Sequence, residues 1–320
     1  MVKLTDGRRR GAGAAVRDSA PVTAAPPLAR AVVVGTGAMG PEIAAALAAA
    51  GVPVVIAGRS ADRAGAARDR ARALSPGEAS IGAAGIGEAP LGDAALVVET
   101  IAEDLEVKRS LLASLEDACD PAALIVTNTS SLRIGDLAGA LRRPERFAGL
   151  HFLKPAHLTA VVEVVPGPAT APAVVPTLRA VAAAMGKTPL VVRRDVPGFI
   201  WNRVQFAVLR ECLHMLEEGV ADAADIDAAV ADGLAPRWTA AGPLATADLG
   251  GLGTFAAVSA LLFPHLAAGA DVPAALEEAA LRGERLAPWT AEVGAALDAL
   301  RADALGQGRA LTERRRALGA

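Results

Sequence analysis

A short β-branched run closed by a glycine-rich turn constrains this chain more than any other feature. Residues 31–35 read AVVVG, and Gly35, Thr36, Gly37, Ala38, Met39 and Gly40 complete a G-x-G-x-x-G spacing. The run has the pattern of a buried parallel strand, and Met39 to Ala50 continues as an Ala-rich helical stretch. The motif carries meaning only in such a strand–turn–helix setting. Glycines let the backbone turn tightly and approach a pyrophosphate, and the helix start offers it unpaired amides and a partial positive charge. These six residues are therefore expected to bind a dinucleotide.

The same alternation continues downstream. Strand-like segments at 52–57, 95–98, 123–126, 147–152 and 189–192 alternate with helical ones at 61–74, 107–118, 134–141 and 170–185. Residues 75–93 read as loop with room for one short strand. This pattern predicts an α/β parallel sheet. After Pro197 the strand signal stops, and helices are expected at 202–217, 225–230, 244–262, 273–282 and 289–305. The implied domains are 31–195 and an all-α domain at 196–320. The first 30 residues, rich in Arg, Ala, Gly and Pro, read as a disordered extension without the apolar centre of a signal peptide.

Composition excludes several function classes. A net charge of −3 with both signs mixed gives no case for nucleic acid or an anionic membrane. No apolar run reaches the ~20 residues of a transmembrane helix. Cys119 and Cys212 stand far apart in no metal-like spacing, so they are expected to be reduced and buried, in a cytoplasmic protein with no bound metal. His157, His214 and His265 read as surface or satisfied core residues.

Two further segments carry chemistry. Gly149 to Val165 reads GLHFLKPAHLTAVVEVV, with His151 and Glu163 in strand-like, apolar surroundings. A buried carboxylate needs a partner, and a histidine oriented by one is held in a single tautomer as a general acid/base. At the end of the second strand, where an acid would accept the 2′-hydroxyl of an NAD ribose, the chain has Gly58, Arg59 and Ser60, with Arg63 one turn on. A guanidinium and a hydroxyl suit a 2′-phosphate, so NADP(H) is expected over NAD(H), with NAD(H) as the alternative.

From about Ala31 to Thr254 the chain resembles the L-3-hydroxyacyl-CoA dehydrogenase family, including its 3-hydroxybutyryl-CoA dehydrogenases. The resemblance rests on the glycine loop, LVVETIAEDLEVK, TNTSSL, the His151/Glu163 segment, PGFIWNR and GPLATADLGGL, in family order. It implies a Rossmann-like domain followed by a helical domain that often forms a homodimer interface. By resemblance, His151 Nε2 exchanges the proton of the reacting oxygen, Glu163 holds the other ring nitrogen, and Ser130 and Asn202 bind the substrate. Glu103 and Lys108 would contact the nicotinamide side of the cofactor.

The chain also departs from the family pattern. Lys154 stands where relatives usually carry Asn, placing a cation near the nicotinamide and the substrate. The segment from Ala61 to Asp93 is too short for the helical hairpin that contacts coenzyme A in relatives. Gly253 replaces a common Asp, and the chain has no tyrosine. The leading expectation is an NADP(H)-dependent oxidoreductase interconverting β-hydroxyacyl and β-ketoacyl groups on coenzyme A or a carrier protein, in the reductive, biosynthetic direction. One alternative is a dehydrogenase of a small free β-hydroxy acid anchored by Lys154. The other is a cofactor-binding relative without catalysis.

Overall fold

The computed structural model describes residues 28–75, 79–284, 286 and 291–317. All but three residues of the expected N-terminal extension lie outside that range. Eight strands form one sheet in the order β3-β2-β1-β4-β5-β6-β7-β8. They are β1 (Ala31–Val34), β2 (Val54–Gly58), β3 (Ile81–Gly85), β4 (Leu96–Glu99), β5 (Leu124–Thr127), β6 (Phe147–Phe152), β7 (Val161–Pro166) and β8 (Thr188–Val191). The first six run parallel, β7 turns back antiparallel to β6, and β8 follows β7 in parallel.

Alternate strand residues face opposite sides, so β1 feeds two cores. Val33 joins Ile43 and Leu47 of helix α1 (Met39–Ala49), Ala67 of α2 (Ala61–Leu74) and Leu178 of α5 (Val174–Ala184). Val32 and Val34 join Leu112 and Leu115 of α3 (Leu105–Ala118) and Leu137 of α4 (Ile134–Ala138). Helices on both faces make the sheet doubly wound, the Rossmann-like arrangement. The strand order reverses between β1 and β4, and ligands of such sheets bind in the crevice at that switch point.

A helical part follows: α6 (Trp201–Glu217), α7 (Ala223–Ala228), α8 (Ala235–Ala240), α9 (Pro243–Gly250), α10 (Leu252–Leu262), α11 (Ala274–Arg282) and α12 (Ala291–Ala317). The expected single helix over 244–262 is two helices bent by 114°. Gly251, at φ +90°, breaks it, a conformation that the adjacent Gly250-Gly251 pair makes accessible. Helix α8 and the π-helical turn before it (Ala229–Leu234) were not anticipated; Pro236 concealed the first, by its position inside the first helical turn. Among the described residues no single helix is long and apolar enough to cross a membrane.

Candidate active site

His151 and Glu163, twelve residues apart, lie on a hairpin that sets the two side by side. They are Cα partners across β6 and β7, so their side chains share one face. His151 Nδ1 lies 2.6 Å from Glu163 Oε2, with 3% and 0% of the side chains exposed. The other carboxylate oxygen, Oε1, accepts the amides of Ile200 at 2.8 Å and Trp201 at 2.9 Å, where α6 begins. Burial pushes the Glu163 carboxyl up, but the hydrogen bonds from His151 and these two amides outweigh it and hold the group below the ordinary glutamate value. An ionised Glu163 only accepts, so the proton of neutral His151 is assigned to Nδ1 and the lone pair to Nε2.

The chain reaches Glu163 from the helical side through a sharp turn. Gly198 (φ +74°) and Phe199 (φ +50°) are both left-handed, and Phe199 is buried with its ring edge-on to His151 at 5.5 Å. A bulky residue at positive φ costs about 1–3 kcal/mol and persists where its surroundings fix it. Here the surroundings are the His151 ring and the two amides delivered to Glu163.

Asn202 and Ser130 also meet, through backbone rather than through both side chains. Asn202 Nδ2 donates to the Ser130 carbonyl at 3.0 Å, which ties α6 to the loop after β5. Glu103 anchors that loop: its Oε1 accepts the Thr129 hydroxyl at 2.5 Å and the amides of Ser130 and Ser131 at 2.8 and 2.9 Å. Burial opposes ionisation of Glu103, but these bonds and the nearby Lys108 hold its pKa low. The expectation that Lys108 contacts the cofactor does not fit the geometry. Its ammonium, 1% exposed, is enclosed by Glu99 Oε1 at 2.7 Å, the Ile101 carbonyl at 3.2 Å and Glu103 Oε2 at 3.5 Å. It neutralises buried acids and supports the loop from behind.

The glycine loop divides its work among three glycines. A Cβ at Gly35 (φ +137°) would lie 2.6 Å from the Thr100 carbonyl, so β1 and β4 close together at the switch point only with glycine there. A Cβ at Gly40 would lie 2.1 Å from the Gly35 carbonyl. At Gly37 it would meet nothing within 4 Å. The loop is thus packed at both ends and open in the middle, and Ala38 gives the start of α1 no side-chain cap. Those residues fit a dinucleotide's pyrophosphate. Thr36 fills the space beside Gly58, where a Cβ would meet its methyl at 2.7 Å. Arg59 is exposed at the end of β2, and the Ser60 hydroxyl caps α2 by accepting the Arg63 amide at 3.4 Å.

Lys154 is exposed on the hairpin loop that follows β6. Groups not singled out in the sequence hold that loop. Glu42 of α1 accepts the Ala156 amide at 2.5 Å, and buried Lys187 donates to the carbonyls of Ala156 at 2.6 Å and Thr159 at 2.5 Å. His157, expected to be surface or satisfied, has its Nδ1 buried without a partner among the described residues.

Two family models match in succession. The 3-hydroxyacyl-CoA dehydrogenase NAD-binding domain covers residues 30–196, and the C-terminal domain of the same enzymes covers 198–286. The chain belongs to the 3-hydroxyacyl-CoA dehydrogenase family. Membership makes it an oxidoreductase built on an NAD-binding domain. One relative is 5-formyl-3-hydroxy-2-methylpyridine 4-carboxylate 5-dehydrogenase of Mesorhizobium japonicum, 35% identical over 88% of this chain and 98% of its own. A crystal structure of an enzyme of that activity, described as an NAD+ dependent dismutase, superposes with a TM-score of 0.82 at 31% identity, covering 89% of this chain and 99% of that one. The 3-hydroxybutyryl-CoA dehydrogenase of Bradyrhizobium diazoefficiens is 35% identical over 73% of this chain and 84% of its own. L-carnitine dehydrogenase of Streptomyces griseus is 40% identical over 49% of this chain and 47% of its own.

The side chains that sequence reasoning missed mostly act one step behind the site. Glu99, at the end of β4, accepts the Thr127 hydroxyl at 2.6 Å as well as Lys108, and Asn128 accepts the Phe152 amide at 2.8 Å. A carboxylate closing the apolar LVVE strand was the available signal for Glu99. Nothing local marked Asn128, whose partner is 24 residues away.

Proposed function

We propose that the protein is an NADP(H)-dependent oxidoreductase that interconverts a hydroxyl and a carbonyl on a small free carboxylic acid. The observation that carries this reading is Lys154: an exposed cation, three residues beyond His151, on a loop clamped by Glu42 and Lys187. A charge on a fixed backbone suits an anionic substrate group that must be oriented toward the acid/base. A relative matched over nearly its whole length acts, by its name, on a pyridine carboxylate, which supports the same reading. The described residues between β2 and β4 hold one helix, a short strand and two single turns, which leaves little protein to grip coenzyme A. The acyl-thioester reading is favoured by the relative named 3-hydroxybutyryl-CoA dehydrogenase and is the second candidate; a carrier-protein substrate falls under it.

In this mechanism Gly35 to Gly40 would hold the pyrophosphate, and the nicotinamide, when bound, supplies or accepts the hydride. His151 Nε2 takes the proton from the substrate hydroxyl in oxidation and returns it to the carbonyl oxygen in reduction. Glu163 stabilises the imidazolium as it forms, and the amides of Ile200 and Trp201 keep that carboxylate ionised and still. Asn202, held by the Ser130 carbonyl, and the exposed Ser130 hydroxyl flank the reacting carbon. Lys154 receives the carboxylate.

Replacing Lys154 by Met separates the candidate substrates. Loss of a charge-assisted contact of about 1.5–3 kcal/mol predicts a KM for the free acid raised roughly 10- to 100-fold, with a smaller change in kcat. An effect on kcat alone would assign Lys154 an electronic role instead. The cofactor preference rests on Arg59 and Ser60, and the NAD+-dependent relative favours the competing reading. Arg59→Ala should raise the KM for NADPH and leave that for NADH unchanged. A native preference for NADH would refute the NADP(H) assignment.

A further inference from the structure

Helix α2 sends one arginine back to the glycine loop. Arg70 Nη2 donates to the Thr36 carbonyl at 2.7 Å, across 34 residues of sequence. The Thr36 carbonyl and the Gly37 amide belong to one planar trans peptide, so they point in opposite directions. A guanidinium that fixes the carbonyl on one side therefore fixes the amide on the other. That amide belongs to the glycine whose Cβ position is open, and it has no acceptor among the described residues. The Thr36 methyl against Gly58 holds the same residue from its side chain.

We propose that Arg70 is a positioning residue for pyrophosphate binding. It orients the Thr36–Gly37 peptide with its amide toward the phosphates and neutralises a carbonyl whose negative end would otherwise lie close to an anion. A cation bonded to the carbonyl also polarises the peptide, which strengthens the amide as a donor. The inference rests on the dinucleotide loop of the family's NAD-binding domain and is independent of the choice between NADH and NADPH. It assigns Arg70 a role distinct from the one proposed for Arg59, which is exposed just after β2.

The test is calorimetric titration of the full chain with NADH, NADPH and ADP-ribose. Arg70→Met should weaken all three by a common factor of about tenfold, the scale of one hydrogen bond to a charged group. Arg70→Lys, which keeps the charge and a donor, should recover part of the loss. The melting temperature of the ligand-free protein should not move, because Arg70 is exposed. Arg68→Met is the control on the same helix, where the guanidinium pairs with Asp69, and should leave the three affinities unaltered. A loss confined to NADPH would make Arg70 a 2′-phosphate contact and overturn the proposal. Unchanged affinity for all three ligands would overturn it as well. If Arg59→Ala fails to discriminate between NADPH and NADH while Arg70→Met weakens both, the NADP(H) reading falls and this one stands.

Discussion

At the scale of single residues, the site is organised by ionised carboxylates that each accept several hydrogen bonds. Glu163 joins His151 to the first amides of α6, so one side chain serves both the proton transfer and the attachment of the helical part. Glu163→Gln should lower kcat by roughly 10²-fold or more, the lower end of what an oriented acid/base contributes. The amide cannot accept from His151 Nδ1 and both backbone amides at once without one NH2 facing a donor. Glu163 and Glu103 also set an acid limit. Both have folded pKa values below the unfolded one, so their stabilisation is complete above the ordinary carboxylate value near 4.5 and is lost as pH falls through the lower, folded value. A denaturation series from pH 6 to pH 3 should show stability falling below about pH 4.5, and the fall should be shallower in Glu103→Gln. Lys108→Met tests whether the Lys108 ammonium neutralises Glu99 and Glu103. With Glu99 and Glu103 left beside an apolar chain, a loss of about 3–5 kcal/mol in unfolding free energy is expected, far more than an exposed cofactor contact would produce.

At the scale of elements, the glycine loop makes separable predictions. Gly40→Ala puts a Cβ 2.1 Å from the Gly35 carbonyl and should lower the melting temperature. Gly37→Ala meets no protein atom, so it should fold normally and lose cofactor affinity in direct titration. Equal thermal damage from both would mean that the loop is shaped differently. This loop was legible from sequence because its constraints are local: strand, turn and helix follow one another in ten residues. The His151–Glu163 pair was legible for a related reason, since a hairpin brings together residues twelve apart. Asn128 and Arg70 were not, because their partners arrive from other elements through the sheet order, which periodicity does not encode. The family motif assigns Lys108 to the cofactor by its position alone, whereas the fold shows its ammonium enclosed by Glu99, the Ile101 carbonyl and Glu103. The break in the 244–262 helix is hidden within its apolar run, because the Gly250-Gly251 pair interrupts it through backbone freedom.

At the scale of the whole molecule, the two parts differ in how well they bury themselves. The sheet carries two cores, whereas beyond Trp201 Leu213 and Ile226 alone are buried among the described residues. Leu244, Leu249 and Leu281 are 85%, 83% and 87% exposed. Exposed apolar surface on this scale marks an interface, and we propose that a second copy of the chain covers it. Sedimentation should give a particle of about twice 32.2 kDa, and Leu244→Glu with Leu249→Glu should shift it toward monomer. A native monomer would leave these helices without an explanation. Central to the proposed function is His151 moving the proton of a small acid. Its most direct test is steady-state turnover of free β-hydroxy and aldehyde-bearing carboxylic acids, beside acetoacetyl-CoA and 3-hydroxybutyryl-CoA, for the native protein and His151→Asn. The prediction is turnover of a free acid that falls by at least about 10²-fold in the variant. Turnover of the thioesters alone, or a variant as active as the native protein, would contradict it.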